Sequence, residues 1–426
     1  MSVSFYFLNF IANMGIILPY FIVLNAYNYY QRPLLLVVLI VIYASRSIGV
    51  ILLNTRFTPL NNLLMGTVTG MLGAGLLSLF QLNLITAIFA GILLGYHSST
   101  LWPLFLAGKT DLSGQYKINK RNTWLVFLAL VLGLIIILTS LIPRYSYQIN
   151  FALYLLLCLL SIPAAFKMTR AILSKHEPVN LPKRSNWLLI AAIILFASRL
   201  VLYMLSKNVL LNYWPDLIAI GLLILLTLKL IIVNRNYDNR LTFALTLLRG
   251  GLMTYVLFFA PFYGFAWFKS NATLFIYGLY LLGFESGAII VKKLSIQPTF
   301  LLGLGLILSA MPFKSTYLLG ILACTVYLGY LNPYLNEQHI HGDIFNRGSG
   351  IIHKYHLSTF GSQIGYAVIF LLLITFAYLK KVNITSFLMT KDTTMQANIY
   401  VLNLILICML LSFIILGRQH LKQNDI

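Results

Sequence analysis

Fourteen times along the chain, a run of about twenty residues passes with almost no charge, and short polar joints separate one run from the next. An uninterrupted apolar run of that length satisfies its backbone amides only as a helix, and it is long enough to cross the roughly 30 Å hydrocarbon layer of a bilayer. The runs fall at about 5–29, 33–54, 63–81, 84–107, 123–142, 148–167, 187–206, 210–233, 242–264, 272–293, 298–312, 316–336, 357–380 and 397–417, the eleventh being the shortest. They are continuous rather than alternating and about twice the length of a barrel strand, which excludes a β-barrel. The expectation is an all-α polytopic membrane protein.

Composition agrees. Of 426 residues, 60% are hydrophobic and 9% charged, against about 25% charged in a soluble domain. Burial in a water-soluble core reaches only about 75% of the surface for a 300-residue domain, too little to hide this much apolar area. The formal charge of +21 would suggest nucleic acid in a soluble protein. Here the basic residues sit in short joints rather than in a stripe interleaved with aromatics, so nucleic acid is excluded as a partner and the lipid bilayer takes its place. Cys158, Cys324 and Cys408 each lie inside an apolar run, without the paired spacing of a disulfide framework or metal site.

The basic residues also orient the chain. With an even number of spans the termini share a side, and the joints on that side carry 18 Lys and Arg against 8 on the other, with Arg46, Arg199, Lys229 and Arg249 inside spans. The positive-inside rule places both termini in the cytosol, as in a multi-pass protein of the cytoplasmic (inner) membrane. The opening MSVSFYFLNFIANMGIILPYF lacks the basic n-region and cleavage site of a removable signal and reads as the first span.

A weak internal duplication runs through the chain. GILLGYHSSTLWPLFL in span four parallels CTVYLGYLNPYLNEQ in span twelve, with Gly95-Tyr96 and Gly329-Tyr330 offset by 234. YASRSIGVIL in span two faces LGFESGAII in span ten. Spans one to six match nine to fourteen and leave seven and eight in the middle, which divides the chain into 1–168, a linker with two extra helices at 169–240, and 241–426. These segments, together with KRNTWLVFLALVLG, FIYGLYLLGFESGAIIVKKL and FGSQIGYAVIFLL, resemble the major facilitator superfamily in its variant with two additional central helices. The resemblance implies two pseudo-symmetric six-helix bundles and transport by alternating access. One departure stands out: the joint LNTRFTPLNN keeps Arg56 but has no Asp, so the charged loop of that family is incomplete here.

Ionisable residues inside spans each cost about 2.5 to 3.5 kcal/mol on insertion scales and mark functional positions. Arg46, His97, Arg249 and Glu285 lie seven to ten residues from one end of their spans, hence at a common depth of about 10–15 Å at 1.5 Å per residue. The resemblance implies that spans one, four, nine and twelve line a central cavity and that two, five, ten and thirteen flank it. On that basis Glu285 is expected to carry the coupled proton and to pair with Arg249 or Arg46, with His97 as a second protonation site. The competing readings are a buried ion pair that only fixes packing and a histidine bonded to a neighbouring helix. Arg46 and Arg249 are expected to hold an anionic group, and Asn9, Asn13, Tyr255, Tyr327, Tyr330 and Asn332 the rest of an amphiphilic solute.

The segment NEQHIHGDIFNRGSGIIHKYH holds His339, His341, Asp343, His353 and His356. Its spacing fits no tetrahedral metal set, and it reads as a solvated loop. No phosphate-binding loop, HExxH, nucleophile elbow or paired carboxylates occur, which argues against a pump driven by ATP and against an enzyme; neither cofactor nor metal is expected. The sequence thus points to a secondary active transporter, a monomer coupled to protons. Its solute would be a small anionic or amphiphilic metabolite, siderophore or drug-like compound, with a lean toward efflux. A lipid-linked glycan flippase or membrane glycan polymerase is the alternative.

Overall fold

The computed structural model describes residues 3–53, 62–112, 147–173, 187–205, 213–235, 239–341, 347–381 and 393–422. Among them there is no β-strand, and every long element is a helix. In chain order these are α1 (Val3–Met14), α2 (Leu18–Tyr30), α3 (Pro33–Leu52), α4 (Leu63–Leu79), α5 (Leu84–Asp111), α6 (Tyr147–Leu173), α7 (Trp187–Leu205), α8 (Tyr213–Asn234), α9 (Arg240–Thr254), α10 (Ala260–Phe268), α11 (Ala272–Leu294), α12 (Pro298–Ala310), α13 (Lys314–Ile340), α14 (Arg347–Lys380) and α15 (Thr393–Lys422).

Thirteen of the fourteen expected spans correspond to these helices; the fifth, 123–142, lies outside the described residues. Two spans depart from a straight rod. The first is broken between α1 and α2, which meet at 58°. The ninth is interrupted by a π-turn, Tyr255–Phe259, between α9 and α10. Sequence reading gave each of these as one continuous run, because hydropathy reports burial and not backbone register.

Local chemistry sets the helix starts. Arg32 precedes Pro33 at the first turn of α3, where a missing N–H costs nothing. The Asn62 side chain accepts from the Met65 amide at 2.8 Å and opens α4. Asn83 and Thr86 form a reciprocal capping box at α5, each side chain accepting the other's backbone N–H at 2.9 Å.

The chain forms two compact units. One comprises residues 1–205 with 339–356, the other 206–338 with 357–426. In the first, α3 and α4 pack on α5, α6 packs on α4 and α1, and α7 packs on α3. In the second, α10 packs on α11 and on α15, and α12 packs on α15. α9 and α14 meet along small residues: a side chain on Gly250 would overlap the Ser358 carbonyl, and one on Gly361 would overlap that of Leu247. Between helices in lipid, where solvent exclusion gives little drive, such close backbone approach supplies the packing energy.

Candidate functional site

In the first unit, His97 on α5 is fully buried. Its Nδ1 lies 2.6 Å from the Gly66 carbonyl on α4 and its Nε2 2.5 Å from the Tyr154 hydroxyl on α6. A carbonyl only accepts, so Nδ1 carries a hydrogen; in the neutral ring Nε2 then receives the Tyr154 hydroxyl proton. Glycine makes the space: any side chain on Gly70 would run into the ring, and Gly15, at the break after α1, faces Nε2. His97 thus ties α4, α5 and α6 together beside the bend of the first span. The sequence marked His97 but not its partner, which lies 57 residues away.

Arg46 on α3 is half-buried, with its guanidinium carbon 5.8 Å from the centre of the Tyr20 ring on α2. Tyr20 in turn stacks on Tyr43 at 4.4 Å. The cation over a ring face is attracted by the ring quadrupole, and the arrangement joins α2 to α3 below the bend. On α1, the Asn13 side chain donates to the Asn9 carbonyl at 2.7 Å and stands 3.4 Å from its side-chain oxygen, so these two amides are used in part on each other.

In the second unit, Arg249 on α9 is 3% exposed and donates from a terminal nitrogen to the Ser358 hydroxyl on α14 at 2.8 Å. That hydroxyl stands where sequence reading placed Glu285. Glu285 instead lies on the exposed face of α11 with Leu282 and Ile289, its i−3 and i+4 neighbours, which are 66% and 58% exposed.

The π-turn organises the surrounding tyrosines. Tyr255 is buried and donates to the Asn403 side chain on α15 at 2.8 Å, and Asn403 donates on to the Ser309 carbonyl on α12 at 2.9 Å. Pro261 has no amide proton, so one carbonyl of the preceding turn loses its donor. The Tyr277 hydroxyl on α11 supplies one to the Leu257 carbonyl at 2.8 Å, and Tyr317 on α13 donates to the Ala260 carbonyl at 2.9 Å. Tyr277, Tyr317, Asn403 and Ser358 were missed in the sequence; Pro261 inside a spanning run was the one signal available. On α13, Tyr327 and Asn332 are buried, and Tyr330 is half-buried with its ring parallel to that of Tyr334 at 6.5 Å.

Among the described residues, the segment read as a solvated loop is helical at 336–340 and 347–356; His341 is exposed, and Asp343 lies outside the described residues. α13 runs to Ile340 and α14 begins at Arg347, and His339, His353 and Lys354 are all buried. The buried polar residues face protein groups rather than water: the His339 and His353 rings meet at 5.8 Å, and the Lys354 ammonium lies 5.1 Å from the centre of the Tyr355 ring. Among the described residues no group of three or more His, Cys, Asp or Glu side chains could hold a metal ion.

No family profile matches the chain, and no curated protein matches it either. Solved structures do. A crystal structure of a POT family transporter in complex with 5-aminolevulinic acid aligns with a TM-score of 0.57 over 98% of this chain and 96% of that one, at 15% identity. A POT family transporter in complex with a thioalcohol-conjugated peptide gives 0.56 over 96% of each chain at 14% identity. Peptide transporter POT in complex with sulfate gives 0.53 over 97% and 94% at 16% identity. The chain shares the all-helical fold of these transporters. It is a multi-pass integral membrane protein.

Proposed function

We propose that this protein is a secondary active transporter that moves a small carboxylate-bearing organic solute by alternating access, coupled to protons. The observation that carries the reading is the alignment of at least 96% of the chain with solved transporters, two of which hold 5-aminolevulinic acid or a peptide conjugate. A solute of amino-acid or short-peptide size, with a carboxylate at one end, fits the basic bias among the buried side chains better than a siderophore or drug. Nothing in the fold favours efflux over uptake.

In this reading the functional division is 1–168 and 241–426, with 169–240 supplying the two extra helices, in a monomer of the inner membrane with both termini cytosolic. Glu285 carries the coupled proton: a carboxyl on an otherwise apolar face of a spanning helix is held neutral unless a cation or water reaches it. His97 serves as a secondary proton site or as the pivot of the first span. Arg46 and Arg249 attract the carboxylate, and Asn9, Asn13, Tyr255, Tyr327, Tyr330 and Asn332 supply hydrogen bonds and aromatic surface.

The test is uptake by purified protein in liposomes with an imposed pH gradient, comparing 5-aminolevulinate, dialanine and a neutral amide analogue. Gradient-driven accumulation of the carboxylates but not of the amide is the expected result. Absence of accumulation of any of them under either polarity of gradient would remove the reading.

A further inference from the structure

α9 and the part of α14 from Leu357 onward lie in the second unit, and the residues along which they meet are small. Gly250 and Gly361 each bring their helix against a carbonyl of the other, and a Cβ at Gly365 would lie 3.2 Å from Thr254 Cβ. Hydroxyls stitch the same seam. Ser362 Oγ stands 3.0 Å from the Gly250 carbonyl and 3.1 Å from that of Ser358, and Thr254 Oγ1 stands 3.2 Å from the Gly250 carbonyl. Backbones packed this closely leave little room for one helix to shift on the other. Residues 249 and 358, at the same level of the seam, are therefore held in a fixed relation.

Within 247–254 of α9 and 358–365 of α14, Arg249 is the only charged residue. Its terminal nitrogen donates to Ser358 Oγ at 2.8 Å, and both residues are buried. A guanidinium only donates, whereas a hydroxyl accepts and also has a hydrogen to give. The bond thus takes up a lone pair of Ser358 and leaves that hydrogen for another acceptor. It also orients the guanidinium without cancelling its charge, which a carboxylate at position 358 would do.

We propose that Ser358 is a specificity-determining residue, forming with Arg249 a two-point anchor for the carboxylate of the solute. The guanidinium supplies the charge, and the Ser358 hydroxyl supplies a second hydrogen bond to the same group. A hydroxyl that accepts from a cation is polarised into a better donor, and bonds to an ionised acceptor are roughly twice as strong as neutral ones. An amide in place of the carboxylate can accept from the same two donors but brings no charge, so it gains less. Selectivity for the acid over the amide follows from the neutrality of residue 358. The inference rests on the transporter reading for the identity of the solute and extends it by naming how its carboxylate is recognised.

The experiment is ligand-induced thermal stabilisation of the purified full-length protein at fixed ionic strength, with dialanine and acetate compared with their amides. Each variant is measured against its own ligand-free state, so a loss of basal stability does not enter. In Ser358→Ala the half-saturating concentration of the carboxylates should rise about tenfold, the scale of one hydrogen bond to a charged group, with little change for the amides. Ser358→Thr, which keeps the hydroxyl, should restore the original values. Ser358→Asp should abolish the preference for the acids. The proposal is overturned if neither carboxylate stabilises the unaltered protein, if Ser358→Ala weakens acids and amides equally, or if Ser358→Asp still prefers the acids. Should the Asp variant fail to fold, the Ala and Thr pair decides by the same criterion. Carboxylate binding with this pattern but without gradient-driven accumulation in liposomes would remove the transport reading and leave the anchor standing. Accumulation accompanied by carboxylate binding indifferent to Ser358 would remove the anchor alone.

Discussion

The Tyr277 hydroxyl donates to the carbonyl of Leu257, four residues before Pro261. A side chain from the next spanning helix thus supplies a hydrogen to a carbonyl of the turn before proline, in a part of the molecule where water is not at hand to do so.

Tyr277→Phe leaves the Leu257 carbonyl without that donor and keeps the packing. Loss of stability should be about 1 kcal/mol, within the range for a buried polar group left unsatisfied, read from thermal unfolding in detergent. The cost should shrink in a Pro261→Ala background, where the backbone regains an amide. Equal costs in both backgrounds would mean that the two groups do not share this role.

Gly70→Ala sets a methyl group against the His97 ring. The imidazole is held on both sides by α4 and α6 and has nowhere to move, so folded yield should fall severely, at about 3 kcal/mol or more for overpacking. Tyr154→Phe is the milder partner, costing about 1 kcal/mol for one lost hydrogen bond. Fluorescence-detected size exclusion over a temperature series separates the two; a stable, monodisperse Gly70→Ala protein would show that the ring can relocate.

Glu285→Gln should abolish accumulation driven by a pH gradient while leaving solute exchange in the absence of a gradient largely intact. Proteoliposome uptake at several external pH values checks this. Accumulation unchanged at every pH removes Glu285 from the coupling.

Arg46→Gln and Arg249→Gln should weaken binding of a carboxylate solute by about tenfold or more, the scale of one lost charged contact, and affect its neutral amide far less. Equal losses for both ligands would indicate packing roles, for which the Tyr20 and Ser358 contacts already supply a structural reason. Thermal-shift titration suffices as the measurement.

The spans were legible because lipid imposes a single requirement on twenty residues at once, and hydropathy averages over all of them. What the average hides is local. The break after Met14 and the π-turn at Tyr255–Phe259 change register without changing polarity, and Pro261 was the only hint in the second case. The segment around His339 and His353 departs for the opposite reason: His339, His353 and Lys354 look solvated by type, yet they are buried, the two histidine rings against each other and the Lys354 ammonium over the Tyr355 ring. The site residues were legible one by one, since charge within a span is rare. Their partners, Tyr154, Ser358 and Asn403, are ordinary in composition and lie more than fifty residues away in sequence.

The π-turn has a geometric corollary for anyone drawing a helical wheel of the ninth span. One additional residue in a turn rotates everything before it by about 100° relative to everything after it. Arg249 and Tyr263, which a regular wheel would place in one azimuthal relationship, therefore sit in another, and removing a single residue from Tyr255–Phe259 would turn the two halves of the span relative to each other by the same angle.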